Sequence, residues 1–212
     1  PEAPEQARAA AIERSRAHWL WCLSELEDPD RRPALILVSG LPGTGKSTLS
    51  RELADAAHFE VIRSDVVRKE IFADTTAGLS SGELYAAENT QRVYDVCRSR
   101  AQTHLLSGGR VLVDATFQRE ANRQQFLQLA IDCGTRAVWL ECTAPADVVR
   151  RRLEARRGDA SDADWSIYEL VRMQWEPGSA FTARNHATVE SGDDSGSTLK
   201  SACDILTAHG LR

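Results

Sequence analysis

The chain has 212 residues and a formal net charge of −5, and its length fits one α/β domain or one domain with a short appendage. The acidic balance disfavours a protein that coats long nucleic acid, because such proteins carry a broad basic surface, although gripping one strand end needs only a local basic patch. No apolar run approaches the ~18 residues of a membrane-spanning helix, so we expect no membrane partner. Five cysteines lack C-x-x-C and metal-ligand spacing, which favours reduced thiols in a cytoplasmic protein.

The N-terminal arm, residues 1–33, precedes the first strand-like run. Residues 5–26 are rich in Ala, Glu and Arg, with leucines at helical spacing, which predicts an amphipathic helix. Residues 27–33 form a polar linker with two prolines. Two roles stay open for the arm: it packs on the following domain, or it is the tail of an upstream domain, fused or interacting. Because the chain begins at Pro1 and its one methionine is Met173, a processed start and a piece of a longer protein are both expected origins.

Strands and helices alternate through the predicted main domain, residues 34–212. The predicted strands cover residues 34–39, 60–63, 110–114, 136–142 and 187–190. The predicted helices cover residues 46–57, 81–107, 118–133, 145–157, 161–175 and 198–209, and a further helix begins with Ser64 as its N-cap. This alternation indicates a parallel sheet with helices on both faces. Ligands of such sheets bind beyond the carboxyl ends of the strands.

A phosphate-binding sequence directly follows the first strand. Residues 40–48 read GLPGTGKST, which fits G-x-x-x-x-G-K-[ST] between a strand and a helix. Glycines let backbone N–H groups approach phosphate oxygens, and the helix N-terminus favours negative charge. The motif predicts a three-layer P-loop NTPase fold of the nucleotide-kinase type that binds ATP; ATP is preferred over GTP because no N-K-x-D motif occurs. The predicted phosphate-binding residues are Gly40, Pro42, Gly43, Thr44, Gly45, Lys46, Ser47 and Thr48.

Acidic side chains follow the second and third strands. Asp65 can accept the proton of a hydroxyl that attacks the γ-phosphate, and Arg68, on the same helix face, can hold an anionic part of the acceptor. Asp114 ends the third strand, where we expect it to hold Mg²⁺ together with the hydroxyl of Ser47, while Lys46 contacts the β- and γ-phosphates. Two structural alternatives stay open: Asp65 stabilises its helix and pairs with Arg68, and Asp114 forms a turn.

Arginines cluster in two later segments. Arg119 and Arg123 lie four residues apart on a predicted helix, where they either reach the acceptor or belong to a solvated face. Residues 150–160 contain five arginines around a break at Gly158, which predicts a lid that closes over the phosphates and excludes water. Arg152 and Arg156, one turn apart, are the predicted catalytic pair of this lid. The alternative is a solvated cationic face that pairs with nearby acids.

Four segments carry a resemblance to a known family: GLPGTGKST, RSDVVRKE, LVDATFQREANR and RRRLEARRGDASDADW. Over residues 35 to about 177 the chain resembles the P-loop kinases of the AAA_33 family, which group with zeta-toxin-like and predicted nucleotide kinases. The Asp65-x-x-Arg68 spacing also resembles that of bacteriophage and bacterial polynucleotide kinases. This resemblance implies that Asp65 is the general base for a 5′-hydroxyl and that Arg68 binds the neighbouring phosphate. Similar domains also occur behind an aminoglycoside-phosphotransferase-like domain, which fits the N-terminal arm.

These observations predict an ATP- and Mg²⁺-dependent kinase that phosphorylates a hydroxyl, with a polynucleotide 5′ end slightly preferred as acceptor. A small metabolite, nucleotide or antibiotic is the nearest alternative. An ATP-hydrolysing regulatory switch is the alternative of another class. It is disfavoured because Ala115 stands next to Asp114, where a paired acid would be expected.

Overall fold

The computed structural model describes residues 4–73, 86–155, 164–192 and 194–212. Within these ranges the strands are β1 (Ala34–Ser39), β2 (Glu60–Arg63), β3 (Arg110–Asp114), β4 (Arg136–Thr143) and β5 (His186–Glu190). The helices are α1 (Glu5–Leu26), α2 (Lys46–Ala57), α3 (Ser64–Phe72), α4 (Ala87–Leu106), α5 (Glu120–Asp132), α6 (Ala146–Ala155), α7 (Trp165–Met173), α8 (Ala180–Ala183) and α9 (Ser195–Ala208). No helix in these parts of the chain is both long and apolar enough to span a bilayer.

The five strands form one parallel sheet in the order β2-β3-β1-β4-β5. The central strand β1 pairs with β3 on one side and β4 on the other, so that Leu35 lies between Val111 and Ala137. Every residue of β1 and β3 is buried, as expected for strands covered on both faces. The predicted three-layer α/β fold is therefore confirmed.

Alternate residues of the strands feed two hydrophobic layers. Leu35 and Leu37 of β1 pack with buried side chains of α4 and α5. Ile36 and Val38 face the other way and pack with buried side chains of α2 and α9. The sheet is thus held between two helical layers, and its carboxyl edge is fixed by packing on both sides.

The observed helix starts differ from the predicted ones because of capping. Helix α9 begins at Ser195, three residues earlier than predicted, because the Asp194 carboxylate accepts hydrogen bonds from the backbone N–H groups of Gly196 and Ser197. Helix α8 was not predicted; it is a single turn capped by the side chain of Ser179.

The prediction that Ser64 is an N-cap is wrong. Ser64 is the first residue of α3, Arg63 holds the cap position, and no side-chain hydrogen bond caps this helix. The predicted helix over residues 81–107 is observed from Ala87, and its first five residues lie outside the described parts. Residues 156–163 lie outside them as well, including Arg156 and most of the predicted lid.

Helix α1 occupies the predicted position and touches the domain by one narrow face. The carbonyl oxygen of Ala17 lies so close to Gly134 that a Cβ built there would be 2.1 Å from it. Glu25 Oε1 lies 2.8 Å from Arg136 Nη2 in an ion pair. Most other side chains of the helix are exposed, including Trp19 at 70%. The arm therefore packs on the domain and still presents apolar side chains to solvent.

Candidate phosphate-binding and acceptor site

The P-loop is held in place by close backbone packing and by hydrogen bonds. Gly40 has a φ of 139°, and a Cβ there would lie 2.2 Å from the carbonyl oxygen of Cys142. The thiol of Cys142 donates to the Thr44 carbonyl at 2.9 Å, and the Thr44 hydroxyl donates to the Leu41 carbonyl at 2.8 Å. Lys46 Nζ donates to the same Leu41 carbonyl at 2.9 Å. The loop is thus prearranged, with the lysine ammonium folded back over it.

Asp114 lies at the carboxyl end of β3, beside the start of α2. Its side chain is 5% exposed and lies 3.5 Å from Arg63 Nε. Burial raises the pKa of Asp114, whereas the charge of Lys46, a hydrogen bond with the Ser47 side chain and the charge of Arg63 act in the opposite direction. The structure therefore brings together Lys46, Ser47 and Asp114, as the sequence predicted.

The hydrogen-bonded oxygens of Ser47 and Asp114 fit the chemistry of Mg²⁺. This ion takes hard oxygen ligands and is commonly held by one or two protein groups together with waters and phosphate oxygens. The described residues contain no group of three or more His, Cys, Asp or Glu side chains that could hold a metal by themselves. Ser47 and Asp114 would accordingly hold Mg²⁺ jointly with the phosphates of a nucleotide.

Asp65 and Arg68, the residues predicted to contact the acceptor, lie near the carboxyl end of β2. Strand register pairs Arg63 with Asp114, so the half-buried Asp65, the second residue of α3, lies two residues beyond the end of β2. Its charge acts on Asp114 and contributes to the raised pKa of that carboxyl group. Arg68 is 9% exposed, and its Nη2 donates to Thr90 Oγ1 at 3.4 Å. The buried position of Arg68 argues against a merely solvated pair on the helix surface.

Arg152 of α6 lies on the other side of the P-loop. Its Nη1 donates to Ser191 Oγ at 2.9 Å, and its Nη2 donates to the carbonyl oxygen of Gly192. A Cβ at Gly45 would lie 2.5 Å from Ser191 Oγ and 3.4 Å from Arg152 Nη1. The guanidinium therefore lies beside Gly45 of the P-loop.

A cavity of about 310 Å³ opens beside Arg152. It is lined by Gly43 and Gly45 of the P-loop, Thr48 and Glu52 of α2, and Ser191 and Thr198 after β5. The cavity therefore opens directly beside the P-loop. Glu52, Ser191 and Thr198 were missed in the sequence. The rule that sites lie at strand carboxyl ends pointed to the segment after β5, but its composition indicated only a loop.

The structure corrects the role predicted for Arg123. This side chain is fully buried in the first turn of α5. Its Nε donates to Glu120 at 2.8 Å, and its two other nitrogens donate to four backbone carbonyl oxygens, those of Phe117, Gln118, Glu176 and Pro177. With every nitrogen engaged inside the protein, Arg123 serves the fold and does not present its guanidinium to an acceptor.

Two further arginines of the predicted basic segments, Arg119 and Arg150, lie on the protein surface, at the start of α5 and on α6, respectively. Arg119 is exposed at the N-cap position of α5, and the structure shows no contact between it and Asp65 or Arg68. Arg150, the first residue of the predicted lid segment, packs over the ring of Trp165 at 4.3 Å.

Fold and site together define a P-loop domain of the kinase type, with a nucleotide-binding loop. Residues 35–177 match the AAA_33 family, described as an AAA domain, and the chain belongs to that family.

Relatives and solved structures agree with this class. An uncharacterized protein of Mycobacterium tuberculosis is 34% identical over 154 residues, which are 68% of this chain and 30% of that protein. The chain thus spans less than a third of that relative. A shikimate kinase of Corynebacterium diphtheriae is 29% identical over 128 residues, covering 59% of this chain and 66% of that enzyme. The crystal structure of a sugar kinase from Janibacter sp. HTCC2649 superposes with a TM-score of 0.64 at 16% identity, over 82% of this chain and 94% of the other.

Proposed function

We propose that this chain is an ATP- and Mg²⁺-dependent kinase that transfers the γ-phosphoryl group to a hydroxyl of a small molecule. The observation that carries the proposal is the position of Asp65. Its half-buried carboxylate follows β2 and acts electrostatically on Asp114, whose own partners are Lys46 and Ser47 of the P-loop. A base thus stands beside the phosphate-binding residues on the side where an acceptor can enter.

The residues divide the reaction between them. Backbone N–H groups of the loop and Lys46 bind the phosphates, and Ser47 and Asp114 would hold Mg²⁺, which would neutralise phosphate charge. Asp65 accepts the proton as the acceptor oxygen bonds to the γ-phosphorus and the bond to the β-phosphate oxygen breaks, leaving ADP. Arg152 offers positive charge to the transferring group.

We propose a small acceptor on the basis of the named proteins that this chain is similar to. A shikimate kinase and a sugar kinase are among the similar proteins whose names state a small-molecule substrate. The polynucleotide acceptor rests on the spacing of Asp65 and Arg68 alone. The formal charge of −5 also favours the small molecule over a polyanion. We extend the proposal to a cytoplasmic protein in which residues 34–212 form the kinase and residues 1–33 contact a further domain.

The test is transfer of labelled γ-phosphate from ATP, with Mg²⁺, to a panel of acceptors. The panel contains shikimate, sugars and sugar acids, nucleosides, aminoglycosides, and DNA and RNA oligonucleotides with a 5′-hydroxyl. Label on a small molecule that disappears in the Asp65→Asn variant supports the proposal. Label confined to the oligonucleotides replaces the acceptor with a nucleic-acid end. Steady ATP hydrolysis with no labelled acceptor favours the regulatory switch instead.

A further inference from the structure

Phe117 has a strained backbone in the segment that joins β3 to α5. Its φ is 50°, and among the described residues only His58 shares a positive φ without being glycine. The left-handed conformation is unfavourable for such a residue, and it persists where the surroundings impose it. Because this segment leaves the carboxyl end of a central strand, the strain lies where a ligand would bind.

Two hydrogen bonds hold the peptide groups of Phe117 from opposite sides. The Tyr94 Oη of α4 accepts a hydrogen bond from the Phe117 N–H at 2.8 Å. Arg123 Nη1 of α5 donates to the Phe117 carbonyl oxygen at 2.7 Å. The rings of Tyr94 and Phe117 also meet edge to face, with centroids 5.4 Å apart. Residues 115–118 are therefore clamped between two helices.

The same face of α4 reaches the acceptor side of the cleft. Thr90 lies one helical turn before Tyr94 and accepts the hydrogen bond from Arg68. Burial raises the pKa of Tyr94, so its phenol stays neutral, and the charges of Arg68 and Asp65 both act on it. Tyr94 thus lies close to both predicted acceptor-side residues while it binds the segment after β3.

The clamped segment also contacts the phosphate loop. The N–H group of Gly40 donates to the Thr116 carbonyl at 3.4 Å, and the Ala115 N–H donates to the Val38 carbonyl at 3.2 Å. A shift of residues 115–118 would therefore change the floor of the cleft between the P-loop and α3. The P-loop itself keeps its other bonds, to Leu41 and Cys142, in that case.

We propose that Tyr94 is a positioning residue for the acceptor. Through the Phe117 amide it fixes residues 115–118 beside Asp65 and Arg68, and so sets where the acceptor hydroxyl lies relative to the bound phosphates. The inference rests on the proposed kinase function and deepens it, because it assigns acceptor affinity to a residue that need not touch the acceptor.

The Tyr94→Phe variant tests this, because it removes one oxygen and keeps the ring. The matched control is Thr135→Val, which also removes one buried hydroxyl hydrogen bond, to the Ala130 carbonyl, at the opposite edge of the sheet.

In Tyr94→Phe we expect hydrogen–deuterium exchange of the Phe117 amide to become at least about tenfold faster. The KM for the acceptor identified by the panel should rise about five- to tenfold, and the Kd for Mg·ATP should change less than twofold, in line with the loss of one hydrogen bond. The control should leave all three values unchanged.

Each other outcome overturns the inference. If amide exchange at Phe117 is unchanged in Tyr94→Phe, the Tyr94 hydroxyl does not hold residues 115–118 in place. If exchange is faster but the KM for the acceptor is unchanged, the position of this segment does not affect acceptor binding. A parallel loss of ATP and acceptor affinity, shared by Thr135→Val, reduces the effect to general destabilisation. Failure of the proposed function looks different, because the wild-type chain then labels no acceptor at all. Wild-type transfer that survives Tyr94→Phe unchanged overturns this inference alone.

Discussion

The strand β3 carries a buried charge at each end, and the two charges are satisfied in different ways. Arg110, at the amino end, is 7% exposed and donates to four backbone carbonyl oxygens, those of Pro29, Arg32, Ala57 and Leu211. Asp114, at the carboxyl end, interacts instead with the side chains of Lys46, Ser47 and Arg63. Backbone carbonyls are fixed by the fold, whereas side chains can change partners.

We interpret this difference as one between a charge that serves the fold, Arg110, and a charge proposed to serve function, Asp114. Arg110 joins the linker after α1, the end of α2 and the C-terminus, and burial lowers the pKa of its guanidinium only to about 10, so it remains charged. The side-chain partners of Asp114 can turn to a metal ion and phosphates without breaking the backbone. Arg123 follows the pattern of Arg110, which is why its predicted role in acceptor binding did not hold.

The largest effect is expected for the base. Asp65→Asn keeps the size of the side chain and removes its ability to accept a proton, so kcat should fall about 10³- to 10⁴-fold with little change in Mg·ATP affinity. Lys46→Ala should weaken nucleotide binding as well, because it removes a phosphate ligand. Calorimetric titration of Mg·ATP beside steady-state kinetics checks both variants. Equal losses of ATP affinity in the two would contradict the proposed division of roles.

The next prediction concerns Asp114. It asks whether the ionised carboxylate, which the proposed function needs, lowers the stability of the folded protein. Asp114→Asn should lower kcat about 10²- to 10³-fold, because the metal loses its anionic ligand. Since burial raises the pKa of Asp114, its ionised form costs stability above that pKa, and the neutral amide should raise the melting temperature near pH 7. Below the ordinary carboxyl pKa the gain should vanish, because Asp114 is then protonated as well. Thermal melts at pH 3 and pH 7 decide this, and a variant less stable at pH 7 would contradict it.

Replacing Arg123 should lower the free energy of unfolding, whereas replacing Arg119 should not. Arg123→Met leaves buried carbonyl groups without donors and should cost about 3 kcal/mol, seen as a lower midpoint in urea unfolding. Arg119→Met is the matched control, because Arg119 is exposed one turn earlier, and its cost should stay within about 0.5 kcal/mol. Equal midpoints for the two variants would show that the buried hydrogen bonds of Arg123 contribute nothing measurable.

The smallest expected effect is that of removing the Ser191 hydroxyl, which accepts a hydrogen bond from Arg152. Ser191→Ala removes the hydroxyl that accepts from Arg152 Nη1, and the Kd for Mg·ATP should rise about three- to tenfold, the range of one hydrogen bond. Ser201→Ala, on the exposed side of α9, should leave the Kd unchanged. A Ser191→Ala variant that binds Mg·ATP as tightly as the wild type would mean that Arg152 holds its place without this contact.

The sequence by itself determined the frame of the protein and its phosphate loop. The boundaries of β1, α2, β2 and β3 were predicted correctly. Local causes are visible for three of them, because β1 and β3 contain short apolar runs and α2 begins directly after Gly45. The P-loop was readable for the same reason: its glycines, lysine and serine are consecutive, and their chemistry depends on backbone geometry that nine residues define.

Only the tertiary structure decided which charged residues meet. Arg123 and Arg119 look alike in the sequence, but one is enclosed by the segment around Glu176 and the other is exposed, and that difference depends on contacts more than 50 residues apart. Ser191 joins the nucleotide side because the parallel order of the sheet brings the end of β5 beside α6 and the P-loop. The strain at Phe117 and its hydrogen bond with Tyr94 are likewise absent from any local pattern, because a helix from another layer of the fold imposes them.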